Sequence, residues 1–269
     1  MIPLNQQEIH KNLLKLGWQQ PYDCYCLDIV DSTNNFIKNL HDNSSKLIFC
    51  CAEMQTAGRG KVNREWYSPF GENIYFSGYW QAPCNLNNLS GLSLVISLAI
   101  LNSLQEYQFT QDIKVKWPND LLWQHKKLAG VLIELTRSHK NSQSTEIIVG
   151  VGLNVNTALP TDPNNSYNTQ SWCSLYDIHG QYFDRNILLA KLIASTNNYV
   201  NLFLDLGFQY FLDDWNKVDY LYGNFITVNN GNQAISGYMR GVDVKSQLCI
   251  EDVDGVLHCL GAGDVIISI

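Results

Sequence analysis

The sequence predicts an α+β protein with a large mixed part over residues 1–220 and a small β-barrel over 221–269. Up to about residue 220, apolar runs of strand length alternate with apolar stripes at helical spacing. From Phe225 onward the apolar period becomes two, and Asn-Gly and Asp-Gly pairs separate several of the short runs at 225–228, 234–239, 247–250, 256–260 and 265–269.

Taken in order, the first 22 residues hold a short amphipathic helix with Ile9, Leu13, Leu14 and Leu16 apolar and Gly17 as its stop. A strand at 25–30 runs into Asp31-Ser-Thr-Asn-Asn35, residue types that all favour a helix cap. Strands at 46–54 and 73–79 flank a loop that is basic within an acidic chain. Leu92, Val95, Ile96, Ala99 and Ile100 are spaced for a helix over 88–107 buried along one face. A strand over 113–120 stops at Pro118; 121–123 and 128–135 then form a hairpin around a turn at 125–127. In the strand at 147–156, Gly150 and Gly152 allow close approach of either a ligand or a neighbouring strand. The polar stretch 157–171 reads as a long surface loop, after which Trp172 and Leu175 return to the core. Asp184 can cap a helix from 185 to about 206 with Ile187, Leu188, Lys191, Leu192 and Ala194 as its stripe; Gly207 breaks it, and a shorter helix reaches Trp215.

With 45% hydrophobic and 16% charged residues over 269 positions, the composition is that of a folded protein with a full core. The net charge of −7 argues against a surface that coats nucleic acid, while leaving room for a local basic pocket. Eight cysteines lie mostly in apolar runs without paired zinc spacing, so buried thiols are expected. There is no N-terminal signal pattern and no apolar run of about eighteen residues, so a cytoplasmic protein outside the membrane is expected.

Gly58-Arg-Gly60-Lys61 invites a phosphate-loop reading, but that motif needs Gly and Ser or Thr where the chain has Gln55 and Val62. Gly150-Val-Gly152 fails as a dinucleotide fingerprint, because Val155 occupies the third glycine position and no helix follows. Neither a Gly-x-Ser-x-Gly elbow nor a His-Glu-x-x-His pair occurs. What remains is a set of cationic and amide side chains on separate loops: Arg59, Lys61, Arg64, Lys116, Lys127, Asn34, Gln55 and Asn119.

From Asp31 nearly to its end the chain resembles the biotin–protein ligases. The matching pieces are Ser32-Thr-Asn34, Gln55-x-Ala-Gly-Arg-Gly60, Trp66-x-Ser-Pro-Phe-Gly71, Gly91-Leu-Ser93, Lys116-Trp-Pro-Asn-Asp120, Lys127-Leu-Ala-Gly130, Gly152-Leu-Asn154, Asp184-Arg185 and Arg240-Gly241. The resemblance implies a catalytic domain like the class II aminoacyl-tRNA synthetases, a mixed sheet flanked by helices, followed by an SH3-like barrel. It implies a two-step reaction in which biotin is activated by ATP with Mg²⁺ as biotinyl-5′-adenylate, then passed to a lysine of a biotin carboxyl carrier protein, such as an acetyl-CoA carboxylase subunit.

By the same resemblance Ser32, Thr33, Asn34, Gln55, Arg59, Gly60, Lys61 and Lys127 are expected at biotin, and Arg64, Trp66, Lys116, Asn119, Asn154 and Trp172 at the adenylate. Arg59, Lys61 and Lys127 would offset the repulsion between two anionic reactants. Asp120, beside Asn119 at a strand end, is expected to receive or orient the acceptor amine. No residue is assigned to a metal. The loop departs from the family pattern Gly-Arg-Gly-Arg-x-Gly-Arg at Lys61 and Asn63. The Ser-Thr-Asn motif begins at residue 32, which leaves no room for the DNA-binding winged helix of larger relatives, so no DNA binding is expected. A homodimer through the sheet is allowed on family grounds. The competing readings are a lipoate or octanoate ligase on the same fold and a non-enzymatic biotin-binding module.

Overall fold

The computed structural model describes residues 2–40, 47–61, 64–137, 144–158, 172–230 and 233–267. Helix α1 (Gln6–Lys15) is capped by Asn5, whose side-chain oxygen accepts from the amides of Gln7 and Glu8. It buries Ile9 and Leu13 but leaves Leu14 and Leu16 about half exposed, so the expected stripe is only partly used. Strands β1 (Tyr22–Val30) and β2 (Leu47–Gln55) pair in parallel, with helix α2 (Thr33–Asn39) between them in the chain. The basic loop follows β2, and β3 (Ile74–Ala82) returns antiparallel to it.

Strands β4 (Ile113–Lys116), β5 (Asp120–Trp123), β6 (Lys126–Arg137) and β7 (Thr145–Leu153) complete a seven-stranded sheet in the order β1-β2-β3-β7-β6-β5-β4. Only β1–β2 is parallel, which makes the sheet mixed as expected. The β5–β6 turn is made by Gln124 and His125 at φ 45° and 67°, the left-handed pair that suits a tight hairpin. Lys126 and Lys127 therefore lie inside β6 rather than in the turn where their polarity suggested.

Helix α3 (Leu92–Ser103) corrects another expectation: of its twelve residues only Ser93 and Asn102 escape burial. It is wedged between β6 and helix α5 (Arg185–Leu206), so both faces are covered. The stretch Leu86–Ser103 that contains it is apolar and long enough to cross a membrane by composition, contrary to the sequence reading; 61% of it is buried inside the protein, as befits a core helix. Asp184 caps α5 as expected, and Gly207 ends it at φ 72°. Burial on α5 follows Leu188, Leu189, Leu192, Ile193, Val200 and Phe203, while Ile187 stays exposed. Helix α4 (Leu175–His179), closed by a Ser174–Asp177 capping box, was not foreseen; α6 (Leu212–Val218) matches the shorter helix. Leu175 is fully buried, and most of the polar loop expected at 157–171 lies outside the described residues.

One buried ion pair ties these layers together. Arg185 and Glu53, with side chains 1% and 5% exposed, meet at 2.6 Å, and Arg185 also donates to the carbonyls of Asn73 and Ile2.

The last strands, β8 (Phe225–Asn230), β9 (Gln233–Val242), β10 (Leu248–Glu251), β11 (Leu257–Leu260) and β12 (Asp264–Ile267), form an antiparallel sheet in the order β11-β10-β9-β8-β12. Its apolar residues Ile226, Val228, Met239 and Leu248 belong to the same core cluster as the large sheet. The Trp117 indole donates to the Ser246 carbonyl at 3.2 Å, and Ser90 meets the Ser246 hydroxyl at 2.8 Å. All eight cysteines are free; Cys24, Cys50, Cys51, Cys173 and Cys249 are buried as expected, whereas Cys259 is exposed.

Candidate active site

A cleft of about 1190 Å³ opens beside β3, β6 and β7, with Gly261–Ile266 of the second sheet forming part of its wall. Its two ends differ in chemistry.

One end is a hydrogen-bonding network of uncharged side chains, backed by the charged groups of Glu134, Arg59 and Lys38. Ser32 stands at the N-cap of α2, yet its side chain makes no capping bond, so the cap reading of 31–35 holds for position only. The amide and hydroxyl of Thr33 both donate to Gln55 Oε1, at 3.0 and 3.2 Å, and Gln55 Nε2 donates to Ser68 Oγ at 3.3 Å. Ser77 Oγ lies 2.7 Å from Thr33 Oγ1 and 2.6 Å from Asn34 Oδ1. Asn34 Nδ2 in turn donates to Glu134 Oε2 at 2.9 Å, which fixes the orientation of its amide. Arg59 Nη2 reaches the same carboxylate at 3.0 Å and Asn35 Oδ1 at 2.6 Å, and Lys38 Nζ lies 3.7 Å from the other oxygen. Glu134 is thus the joint between the basic loop, α2 and β6.

The glycines that the sequence left open between ligand and strand serve side chains of the site. Gly150 pairs with Ser77 and Gly152 with Gly130. A Cβ on Gly150 would sit 2.4 Å from Asn34 Oδ1, and one on Gly152 would sit 2.4 Å from the Trp66 indole, which also presses on Gly130. Gly150→Ala is therefore expected to push the Asn34 amide off Ser77 and Glu134 and to cost about 1–3 kcal/mol, as overpacking does; urea unfolding of the variant measures it. In the basic loop, Gly58 is the constrained glycine, since its Cβ would meet Trp66 O at 2.6 Å, whereas Gly60 has 3.4 Å to its nearest neighbour. Arg64 and Gly60 close the loop through a 2.6 Å backbone bond; Val62 and Asn63 lie outside the described residues.

The other end is cationic. Lys127 Nζ lies 2.8 Å from Asp120 Oδ1 and 5.2 Å from the centre of the Trp66 ring. The Lys127–Asp120 contact is an ion pair without hydrogen-bond alignment, since that buried oxygen has no hydrogen-bond partner among the described residues. Burial holds Lys61 and Lys116 below the ordinary lysine range; Asp120 pulls both back up, and the Lys127 charge pushes them further down. Three ammonium groups and Arg64 thus outnumber the two nearby carboxylates, Asp120 and Asp264, an excess that an incoming polyanion would relieve. Arg64 pairs with Asp264 at 3.1 Å, but both are about half exposed, so the pair itself is weak.

Ser32, Thr33, Asn34, Gln55, Arg59, Gly60, Lys61, Arg64, Trp66, Lys116, Asn119, Asp120, Lys127, Asn154 and Trp172 all line this one cleft. Two of them are engaged with backbone. Asn154 Nδ2 donates to Cys173 O at 3.0 Å, which clasps the segment carrying Trp172, and Asn119 Nδ2 donates to Val131 O at 2.7 Å. Half-buried Trp172 bridges Lys127 through its backbone and sits at the cleft rather than in the core. Glu134, Ser77, Ser68, Asn35 and Lys38 were missed. Glu134 follows the cleft-lining Gly130 and Leu132 at a two-residue period, so it lies on the same face of β6, behind Asn34 and Arg59 rather than in the cleft wall.

Residues 26–154 match the biotin/lipoate A/B protein ligase family. The bifunctional ligase/repressor BirA of Salmonella typhimurium is 35% identical over 239 residues, covering 89% of this chain and 72% of that protein. The biotin–[acetyl-CoA-carboxylase] ligase of Mycobacterium tuberculosis is 28% identical and covers 98% of this chain and 96% of its own. Among solved structures, a biotin protein ligase from Aquifex aeolicus in complex with biotin and ATP superposes with a TM-score of 0.78 at 28% identity, covering 91% of this chain and 99% of its own.

Proposed function

Because the chain belongs to the biotin/lipoate A/B protein ligase family, we infer that it is a biotin–protein ligase, which activates biotin with ATP and transfers it to a carrier protein. The observation that carries this reading is the two-ended cleft. Biotin is neutral except for its carboxylate, so its ring system suits the Thr33–Asn34–Gln55–Ser77 end, with the carboxylate directed toward Lys127. ATP is a polyanion and suits the end held by Lys61, Lys116, Lys127 and Arg64.

In the first step a carboxylate oxygen attacks the α-phosphorus and the bond to pyrophosphate breaks. Fixed cations reduce the repulsion as the two anions meet and stabilise charge developing on phosphorus. Lys127 reaches both partners; burial disfavours the charged forms of Lys61 and Lys116, and an approaching phosphate favours them. Arg59, held by Glu134 and Asn35, anchors the basic loop over biotin, and Trp66 lies against the glycine floor. Asn119, Asn154 and Trp172 frame the adenylate from the opposite strands. A closed loop would also exclude water, which would otherwise hydrolyse the mixed anhydride. Mg²⁺ commonly takes one or two carboxylates together with phosphate oxygens. Asp120 and Asp264 both act on Lys61 and Lys116 and both line the cleft, so an ion that arrives with ATP has Asp264 as a ligand that leaves Asp120 to the second step.

In the second step a carrier lysine amine attacks the acyl carbon and AMP leaves. Freeing that amine of its proton at pH 7 costs about 4–5 kcal/mol from an ordinary lysine. Asp120 is our candidate to receive or orient it. With Asp120→Asn, adenylate formation is expected within a few fold of normal while transfer falls by about 100-fold. Separate assays of the two steps decide this; loss of the first, with transfer from supplied adenylate intact, would overturn the assignment.

The finer reading has a class II aminoacyl-tRNA-synthetase-like catalytic domain to about residue 220 and an SH3-like barrel beyond it. It takes an acetyl-CoA carboxylase subunit or similar biotin carboxyl carrier as acceptor, and includes a homodimer through the large sheet. A cytoplasmic site of action accords with eight unpaired cysteines. Lipoate offers a ring without hydrogen-bonding groups, and would leave the polar end of the cleft unsatisfied. Incubation with ATP, Mg²⁺, a biotin carrier domain and either biotin or lipoate tests the whole reading: biotinylated carrier is expected, and lipoylated carrier alone, or none, would refute it.

A further inference from the structure

Outside the cleft, the second sheet brings together three side chains to which the ligase reading gives no part. Cys249 and Cys259 are directly opposed on β10 and β11, and their sulfurs lie 3.1 Å apart. Asp243, just past the end of β9, completes the group: one ligand atom of each residue lies within 4.8 Å of the others. None of the three lines the cleft.

We propose that Asp243, Cys249 and Cys259 bind a zinc ion, with solvent as the fourth ligand. Two sulfurs, one carboxylate oxygen and a water fit the tetrahedral preference of Zn²⁺. The carboxylate is fixed beforehand, because Asp243 Oδ1 accepts from the amides of Lys245 and Gln247 at 2.9 and 2.8 Å. Its other oxygen has no hydrogen bond or ion pair among the described residues. A graded burial leaves the outer position open to water, since Cys249 is buried, Asp243 half-buried and Cys259 exposed. Zn–S bonds of about 2.3 Å in tetrahedral geometry separate sulfurs by about 3.8 Å, so the pair must spread by about 0.7 Å, within reach of small χ1 rotations. His258 is excluded as a ligand; as the neighbour of Cys259 it faces the other side of β11 and pairs with Asp252 at 2.6 Å. The ion would join β9, β10 and β11, the far side of the sheet from β12.

The test uses the intact, reduced protein and Co²⁺ as the probe, displaced afterwards by Zn²⁺. One equivalent is expected to give the thiolate-to-cobalt absorption and visible bands of a tetrahedral site. Cys249→Ser and Cys259→Ser should each abolish them, and Asp243→Asn should weaken binding about 10-fold or more. Stoichiometric Zn²⁺ should protect Cys249 and Cys259 alone from alkylation, a readout that needs no variant and no activity. Absence of the bands, their survival in the Cys249→Ser/Cys259→Ser double variant, or recovery of the two cysteines as a disulfide that takes up no metal would each overturn the proposal.

Discussion

Exchange of Lys127 for methionine is expected to slow formation of the biotinyl adenylate by about 10²- to 10³-fold, the loss that follows removal of one fixed donor from a charged transition state. Methionine replaces the stem as far as Cε without the ammonium and keeps its packing over Trp66 and Gly130, so the fold should be retained. The neutral end of the cleft is untouched, and biotin affinity should change far less than the rate. Lysine to arginine should not rescue the variant: the guanidinium is larger, and the space between Trp66 and Gly130 is already closed, with Lys127 Cε 3.2 Å from where a Gly130 Cβ would stand. Single-turnover pyrophosphate release measures the step, and a rate within a few fold of normal would remove Lys127 from the chemistry.

Glu53→Gln is expected to destabilise the fold by about 3–5 kcal/mol, the cost of leaving one member of a buried ion pair alone. Arg185 is 2% exposed and Glu53 4%, and water cannot replace the lost partner without opening the core. The loss would also loosen the N-terminal segment, because the Leu4 amide donates to Glu53 and the Ile2 carbonyl accepts from Arg185. Arg185→Met should cost a similar amount. The double variant should cost less than the sum, since both charges then leave the interior together. Urea unfolding of the four proteins provides the cycle; additive losses would mean that the two side chains act independently.

The element order was largely legible because period and punctuation agreed: Asp184 and Gly207 bracket α5, and the change to period two marks the second sheet. Where the reading failed, tertiary context prevailed. Helix α3 carries so many branched apolar residues that no stripe could reveal two covered faces. In the site, the loop and motif residues came together as expected, since charged and amide groups outside apolar runs stand out in a sequence. Glu134 did not, because a carboxylate between Ile133 and Leu135 reads as the solvent side of a strand. Only the fold reveals that this side faces the cleft. Ser77 was hidden in the same way, fully buried within an apolar strand. The wall at Gly261–Ile266 depends on how the second sheet sits against the first, which no local pattern encodes.

That wall also orders events on the ribosome. Every residue of the neutral pocket, from Ser32 to Gly150, has been made once β7 is complete. The cationic end still lacks Gly261–Ile266 and the Arg64 partner Asp264, which arrive roughly a hundred residues later as synthesis proceeds from the N-terminus. The lysines of the cationic end, Lys61, Lys116 and Lys127, are thus made well before the wall that faces them, and that end is complete only once the second sheet has been added.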